Sequence, residues 1–266
     1  MARSALLNVM TKAAFKAGRS LARDFGEVQN LQVSMKGPAD FVSEADIKAE
    51  KIIRTELREA RPKFGFLMEE RGEIQGQDPQ NRWIVDGLDG TINFLHGNPH
   101  FCISIALERE GEIVAGVIYN PARDELFAAE KGQGAFENDA RMRVSARRDL
   151  HASLIAAYIP QMGKRGHGQQ LREQQAIMKE TAGVRCTGST ALDLAYLAAG
   201  RLDGVWQRGP EAWDIAAGII LIREAGGYVT DLDGGRDMFE KHTVLAGNEY
   251  IHRKLGDIVR GVPKPS

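Results

Sequence analysis

At about residue 145 the rhythm of this 266-residue chain changes. Before that point two long helical patterns lead into short β-rich runs, and after it strand patterns alternate with helical ones. The first helical pattern covers residues 4–25, where Leu6, Met10, Ala13, Ala17 and Leu21 recur with a period of ~3.6 residues and stop near Gly26. The second is expected to start near Ser43, with Asp46 placed to help cap it, and to run to about Ala60. Arg61-Pro62 ends it, because the residue before a proline resists the helical region. The runs 83–86, 101–107, 113–119 and 125–129 are short, rich in Ile, Val, Phe and Tyr, and set between Gly, Asn and Pro. Glu110-Gly111-Glu112 reads as a hairpin turn, so this region predicts an antiparallel sheet. Later strand candidates are 154–159, 183–186, 204–207, 227–231 and 244–246, with helices at 168–181, 189–199 and 213–225 between them. The last two helices end in Gly200 and Gly226-Gly227, residues favoured just past a helix end. An α+β half over 1–145 followed by an α/β half over 146–266 predicts a layered sandwich.

Composition removes several classes of function. With 35 basic and 36 acidic residues the net charge is −1, without the basic excess of a nucleic-acid binder. A chain that is 43% hydrophobic and 27% charged is a globular one, not a disordered one. Its 29 glycines exceed the usual ~7% and point to functional loops. Cys102 and Cys186, in apolar or strand-like surroundings, predict two buried thiols in a reducing compartment, with no disulfide. The N-terminal residues lack a signal-peptide pattern, and no run approaches ~18 apolar residues, so the expected location is the cytoplasm, with no membrane partner.

Acidic and polar residues gather beside turns in five places: 40–46, Glu69-Glu70, 86–94, Gly188-Ser189-Thr190 and Trp213-Asp214. In the third, the apolar run Trp83-Ile84-Val85 delivers Asp86, and Gly87 and Gly90 let the chain fold tightly around Asp89. Two such carboxylates ~4 Å apart repel by ~4 kcal/mol at an effective dielectric of ~20. A hard divalent cation removes that cost, and ligation by oxygen alone selects Mg2+, Mn2+ or Ca2+ over zinc. His96 and His100 do not make a zinc pair, because Gly97 and Pro99 break the helix that would align them. Gly90-Thr91 adds N–H groups and a hydroxyl suited to a phosphate oxygen or to a water. The set reads as phosphoryl chemistry, with a solvated Asp-Gly turn as the plain alternative. A spacing of Asp-x-x-Asp rather than Asp-x-Asp argues for attack by water over a phosphoaspartate. Taken singly, Asp214 could be only a helix N-cap, Asp46 only a first-turn acid, and Glu70 a solvated loop charge. Ser189 or Thr190 could cap the following helix, and Trp206 and Trp213 read as core.

Together these segments resemble the inositol monophosphatase family. The stretch from Trp83 to Phe94 is similar to its Asp-Pro-Ile/Leu-Asp-Gly-Thr-x-Asn-Phe signature, and the stretch from Trp213 to Gly218, followed by Glu224-Ala225-Gly226-Gly227, to its second signature. Glu69-Glu70 resembles its Gly-Glu-Glu loop, and 40–46 its early Asp-x-Val-Thr-x-x-Asp. The resemblance implies a layered αβαβα sandwich of the sugar-phosphatase type. It implies Mg2+, two to three ions per subunit. Glu69, Asp86 and the Leu88 carbonyl would hold the first, Asp86, Asp89 and Asp214 the second, and Glu69 a third through water. Asp46 and Thr91 would orient and deprotonate the attacking water, which makes them catalytic together with Glu69, and Gly90-Thr91 would cradle the phosphate. Asp89, Gly188, Ser189, Thr190 and Gln207 would face the substrate.

The implied reaction is hydrolysis of small polyol or sugar phosphates, inositol 1-phosphate first, by direct attack of a metal-activated water in a lithium-sensitive homodimer. Fructose 1,6-bisphosphate, histidinol phosphate and a phosphoadenosine nucleotide are the alternative substrates, and a weakly active partner of the transcription machinery is the alternative role. No direct nucleic-acid contact is expected. Four positions depart from the family pattern: Met68 for Gly, Gly87 for Pro, Ile92 for Thr and Gln207 for Glu. Gly87 would free the backbone of the metal loop at a cost of about 0.4–1 kcal/mol. Gln207 would weaken hydrogen bonds to inositol hydroxyls by ~1 kcal/mol.

Overall fold

The computed structural model describes residues 4–27, 33–37, 40–158 and 166–263. Helix α1 (Ala5–Phe25) starts where the Ser4 hydroxyl accepts the Leu7 N–H at 3.0 Å, and it ends at Gly26. A hairpin of β1 (Val33–Gly37) and β2 (Asp40–Ser43) leads into α2 (Glu44–Ala60), whose first turn is closed by a capping box between Ser43 and Asp46. Then come β3 (Phe64–Met68), β4 (Gly72–Ile74), β5 (Asp78–Asp89), the short α3 (Thr91–Leu95) and β6 (Cys102–Arg109). β7 (Glu112–Asn120), β8 (Glu125–Glu130), β9 (Gly134–Glu137) and β10 (Ala140–Arg141) complete an eight-stranded sheet in the order β10-β9-β8-β7-β6-β5-β3-β4. The expected hairpin is present, with Glu110 and Gly111 both at positive φ between β6 and β7. The runs expected to form an antiparallel sheet do pair that way as β5 to β8, and β3, outside those runs, joins the sheet parallel to β5.

The rest of the chain alternates β11 (Leu154–Ala157), α4 (His167–Glu180), β12 (Gly183–Arg185), α5 (Thr190–Ala198), β13 (Gly204–Arg208) and α6 (Ala212–Glu224). It closes with β14 (Tyr228–Thr230), α7 (Met238–Lys241), β15 (Thr243–Gly247) and α8 (Glu249–Gly261). The second sheet has the order β12-β11-β13-β15-β14, parallel through β11 and antiparallel at β15. Residue 159, the predicted end of its first strand, lies outside the described residues.

Alternating side chains sort these elements into five layers. Trp83, Val85, Ile103, Ile105, Leu107 and Val117 pack on α1 and α2. Their neighbours Ile84, Ala106, Ile118 and Phe127 point the other way, onto Leu194, Ile215 and Ile219 of α5 and α6. The same two helices cover Ala156, Val205, Val244 and Ala246 of the second sheet. Its far face buries Ile155, Trp206 and Leu245 under Ile177 of α4 and Ile251 and Leu255 of α8. The fold is thus a layered αβαβα sandwich, with α5 and α6 shared by both sheets. Among the described residues no helix is long and apolar enough to cross a membrane. Cys102 and Cys186 are both free, but only Cys102 is buried; the expectation of two buried thiols fails at Cys186, which lies in the exposed stretch after β12.

Candidate active site

The parity of β5 aims the paired acids. Asp86 follows Ile84 by two residues and so faces the α5–α6 layer. In a regular strand a residue three further on would face the opposite side. Here Asp86 pairs with Ser104 and Asp89 with Cys102, so β5 carries one more residue than β6 between these points. That extra residue is a β-bulge, and it returns Asp89 to the face of Asp86. Gly87 lies in the bulge, where a Cβ would stand 2.9 Å from the Glu50 backbone nitrogen. Helix α2 therefore occupies the space a side chain at this position would take.

The third acid arrives from the other half of the chain. Asp214 sits in the first turn of α6, where its Oδ2 accepts the Glu211 N–H at 2.7 Å in a capping box with Glu211. It is thus the reciprocal acid of the cap and not the N-cap residue itself. The buried Ser104, opposite Asp86 on β6, donates its hydroxyl to the Trp213 carbonyl at 3.1 Å and ties this helix end to the first sheet. Asp86, Asp89 and Asp214 each offer a carboxylate oxygen within 4.8 Å of the others. Glu69 follows β3, and its N–H donates to the Val85 carbonyl at 3.3 Å, which carries the β3–β5 pairing past the strand end. The Leu88 N–H donates to Asp86 Oδ1 at 2.8 Å.

The electrostatics of this cluster are those of a group that could hold a cation. Burial, then the charges of Glu69, Asp89 and Asp214, push the Asp86 carboxyl well above the ordinary carboxylate range. Burial, then the Asp89 charge, does the same to Asp214. Asp89 rises less, to about 6: burial raises it, while the hydrogen bonds from Ser189 and from the Ala191 N–H hold it down. Carboxylates alone, with no His or Cys among them, suit a hard divalent ion, which would offset the burial cost of all three and the mutual repulsion that further raises Asp86 and Asp214.

Beside the acids stands a second pair. Thr91 Oγ1 lies 2.8 Å from Asp46 Oδ1 and 3.2 Å from the Leu88 carbonyl. Asp46 Oδ2 accepts both the N–H and the hydroxyl of Ser43. The helix-capping and the catalytic readings of Asp46 thus use its two different oxygens. Burial raises the Asp46 carboxyl above its usual value against the pull of these hydrogen bonds. Gly90 precedes α3 at φ 95°, and a Cβ there would also lie 3.0 Å from the His100 carbonyl, so the turn into Thr91 requires glycine. Glu70 is half-buried and donates its N–H to Glu50 Oε1 at 2.8 Å. Asp40, at the start of β2, has a side chain outside the described residues.

The polar turn before α5 meets this site from behind. Ser189 donates to Asp89 Oδ2 at 2.7 Å while capping α5, and the Ala191 N–H reaches the same oxygen at 2.7 Å. Gly188 is exposed, whereas the buried Thr190 donates to Gln207 Oε1 at 3.1 Å, which seats Gln207 behind Thr190. Trp206 is buried in the core under α4 and α8, and Trp213 is half-buried against the separate core around α5 and α6. His96 is exposed and His100 faces Asp193 at 3.8 Å, so neither joins the acidic group. Sequence reasoning missed Asn93, whose amide donates to the His100 carbonyl at 2.7 Å and to the Thr187 carbonyl at 2.8 Å. It braces α3 against the polar turn, and its only signal was its place in the first signature. Ser104 carried no signal at all.

The model of the inositol monophosphatase family matches residues 2–263. An inositol-1-monophosphatase of Mesorhizobium japonicum is 63% identical over 265 residues, covering 100% of this chain and 98% of the relative. The Nus factor SuhB of Escherichia coli is 41% identical over 250 residues, 94% of each chain. The crystal structure of the extragenic suppressor protein suhB from Bartonella henselae superposes with a TM-score of 0.94 at 62% identity, covering 97% of this chain and 99% of that one. The chain belongs to the inositol monophosphatase family.

Proposed function

We propose that this protein hydrolyses small polyol phosphate monoesters with Mg2+, inositol 1-phosphate first. The observation that carries the reading is the convergence of Asp86, Asp89 and Asp214 within 4.8 Å beside the Asp46–Thr91 pair. Glu69, Asp86, the Leu88 carbonyl, Asp89 and Asp214 are the groups that would hold two to three Mg2+ ions. Bound there, the ions supply positive charge that activates water and stabilises the developing charge on phosphate and leaving oxygen.

The chain's own residues divide the remaining work. Thr91 Oγ1, with its proton directed to Asp46 Oδ1, keeps its lone pairs for a hydrogen bond from the attacking water. Asp46, raised by burial, is the proton acceptor behind it. The N–H groups of the Gly90–Thr91 turn are the donors for phosphate oxygens. Gly188, Ser189, Thr190 and Gln207 are the polar groups assigned to the polyol hydroxyls; Ser189 also fixes Asp89, and Thr190 holds Gln207. The relative named inositol-1-monophosphatase supports inositol 1-phosphate as the first substrate. A cytoplasmic, lithium-sensitive homodimer completes the proposal on family grounds.

The test is phosphate release with Mg2+ from a panel of inositol 1-phosphate, fructose 1,6-bisphosphate, histidinol phosphate and a phosphoadenosine nucleotide. Inositol 1-phosphate should be hydrolysed fastest, and Asp86→Asn and Asp89→Asn should abolish turnover. A second reading, contact with the transcription machinery, is favoured by the relative named Nus factor SuhB. No release from any ester, together with binding to a transcription protein, would replace the enzyme reading with that one.

A further inference from the structure

One buried acid near the site has no part in the chemistry above. Glu50 lies on α2 one turn after Asp46 and is fully buried. Its Oε1 accepts the Glu70 N–H at 2.8 Å, and Arg71 Nε stands 3.9 Å from Oε2. Its backbone nitrogen is the atom a Cβ on Gly87 would meet at 2.9 Å, with its own Cγ at 3.0 Å and the Asp46 carbonyl at 3.2 Å. One turn of α2 therefore touches three separate pieces of the site: Thr91 through Asp46, the bulge through Gly87, and the Glu69–Glu70 turn through Glu50. Sequestering a carboxylate costs several kcal/mol unless it is bonded in place. A buried acid aimed at one backbone N–H fixes where that N–H sits.

We infer that Glu50 is a positioning residue for the cation site, holding the Glu69–Glu70 turn against the end of β5, where the Glu69 N–H meets the Val85 carbonyl beside Asp86. The inference rests on the metal reading above. Removing a buried negative charge would weaken cation attraction even without positioning, so reach and charge have to be separated. Glu50→Asp keeps the charge but is one methylene too short for the Glu70 N–H. Glu50→Gln loses the charge but keeps an acceptor at the same reach.

Direct Mn2+ binding, followed by electron paramagnetic resonance without substrate, is the readout, with thermal unfolding run on each variant. Positioning predicts that Glu50→Asp weakens Mn2+ by about tenfold or more, as outer partners of metal ligands do. Glu50→Gln should stay within about threefold of the wild type, and Mg2+-dependent turnover by Glu50→Asp should be restored by excess metal. Wild-type affinity in Glu50→Asp overturns the inference, as does an equal loss in Glu50→Gln. A wild-type protein that binds no Mn2+ overturns the metal reading as well, whereas normal wild-type binding beside an unaffected Glu50→Asp sinks the Glu50 inference alone.

Discussion

Replacing Asp89 with asparagine should stabilise the metal-free protein while removing its response to metal. Without a cation the Asp89 carboxyl sits at about 6 against an ordinary 3.8, a rise worth about 3 kcal/mol at ~1.4 kcal/mol per tenfold change in proton affinity. Because the folded value is raised, the folded state holds its proton more tightly than the unfolded chain. This favours folding fully below the unfolded value near 3.8, and the benefit is lost as pH rises through about 6. Metal-free wild type should therefore lose stability between pH 4 and 7 from this group. Glu69, Asp86 and Asp214 add repulsion in the same direction. The asparagine keeps an oxygen for Ser189 and the Ala191 N–H while discarding the charge. At pH 8 the chelated variant should exceed chelated wild type by about 1–3 kcal/mol, or roughly 3–9 °C in Tm for a chain of this size. Saturating Mg2+ should reverse the order, since ligand at a hundred times its Kd adds about 2.7 kcal/mol to a protein that binds it. Thermal unfolding at pH 5 and pH 8, with chelator and with Mg2+, reads all four states. A chelated variant no more stable than wild type at pH 8 would refute the idea that burial penalises the Asp89 carboxylate in the folded protein.

Three further outcomes follow from local geometry. Thr91→Ala should lower kcat by about 10²–10⁴ with Mn2+ affinity retained, as expected for loss of a proton-transfer path; equal turnover would remove Thr91 from the chemistry. Gly87→Ala should cost about 1–3 kcal/mol in denaturant unfolding, because its Cβ meets the α2 backbone at 2.9 Å and not a flexible side chain. Arg208→Ala should destabilise by about 3–5 kcal/mol, since it takes the cation from the fully buried Glu173, which Arg208 binds at 2.6 Å and 3.0 Å and which would keep only the neutral donors of Gln169 and Trp206; a loss below 1 kcal/mol would contradict that account.

Local chemistry made much of this fold readable. The stripe from Leu6 to Leu21 and the stop at Pro62 set α1 and α2 to within a residue or two, although the buried residue of the first turn is Leu7 and not Leu6. Gly200 and Gly226, at φ 73° and 85°, marked the ends of α5 and α6. Other features depended on partners that no local pattern names. The run from Phe64 to Met68 becomes β3 by pairing parallel to β5, and β5 itself reaches back to Asp78 through polar residues that only its neighbours make a strand. α8 could have been read from Asn248 and the spacing of Ile251, Leu255 and Val259, but that stripe is narrow and lies in a mostly polar segment.

At the site, the Asp-x-x-Asp motif was legible as a pair able to face one point, yet the device that achieves this was not. A spacing of three should split the pair across a strand, and the bulge that reunites it is a property of the β5–β6 register. Asp214 joins them only because both sheets share the α5–α6 layer. Cys186 looked buried by its neighbours and proved exposed, because β12 is a three-residue edge strand.

Diffraction from a crystal soaked in Mn2+, recorded at the manganese edge, bears most directly on the shared acidic cluster. Anomalous peaks bracketed by Asp86, Asp89 and Asp214, two of them roughly 3.5–4 Å apart, are the predicted result. An empty cluster at saturating Mn2+, or manganese bound elsewhere with these carboxylates turned away from one another, would contradict it.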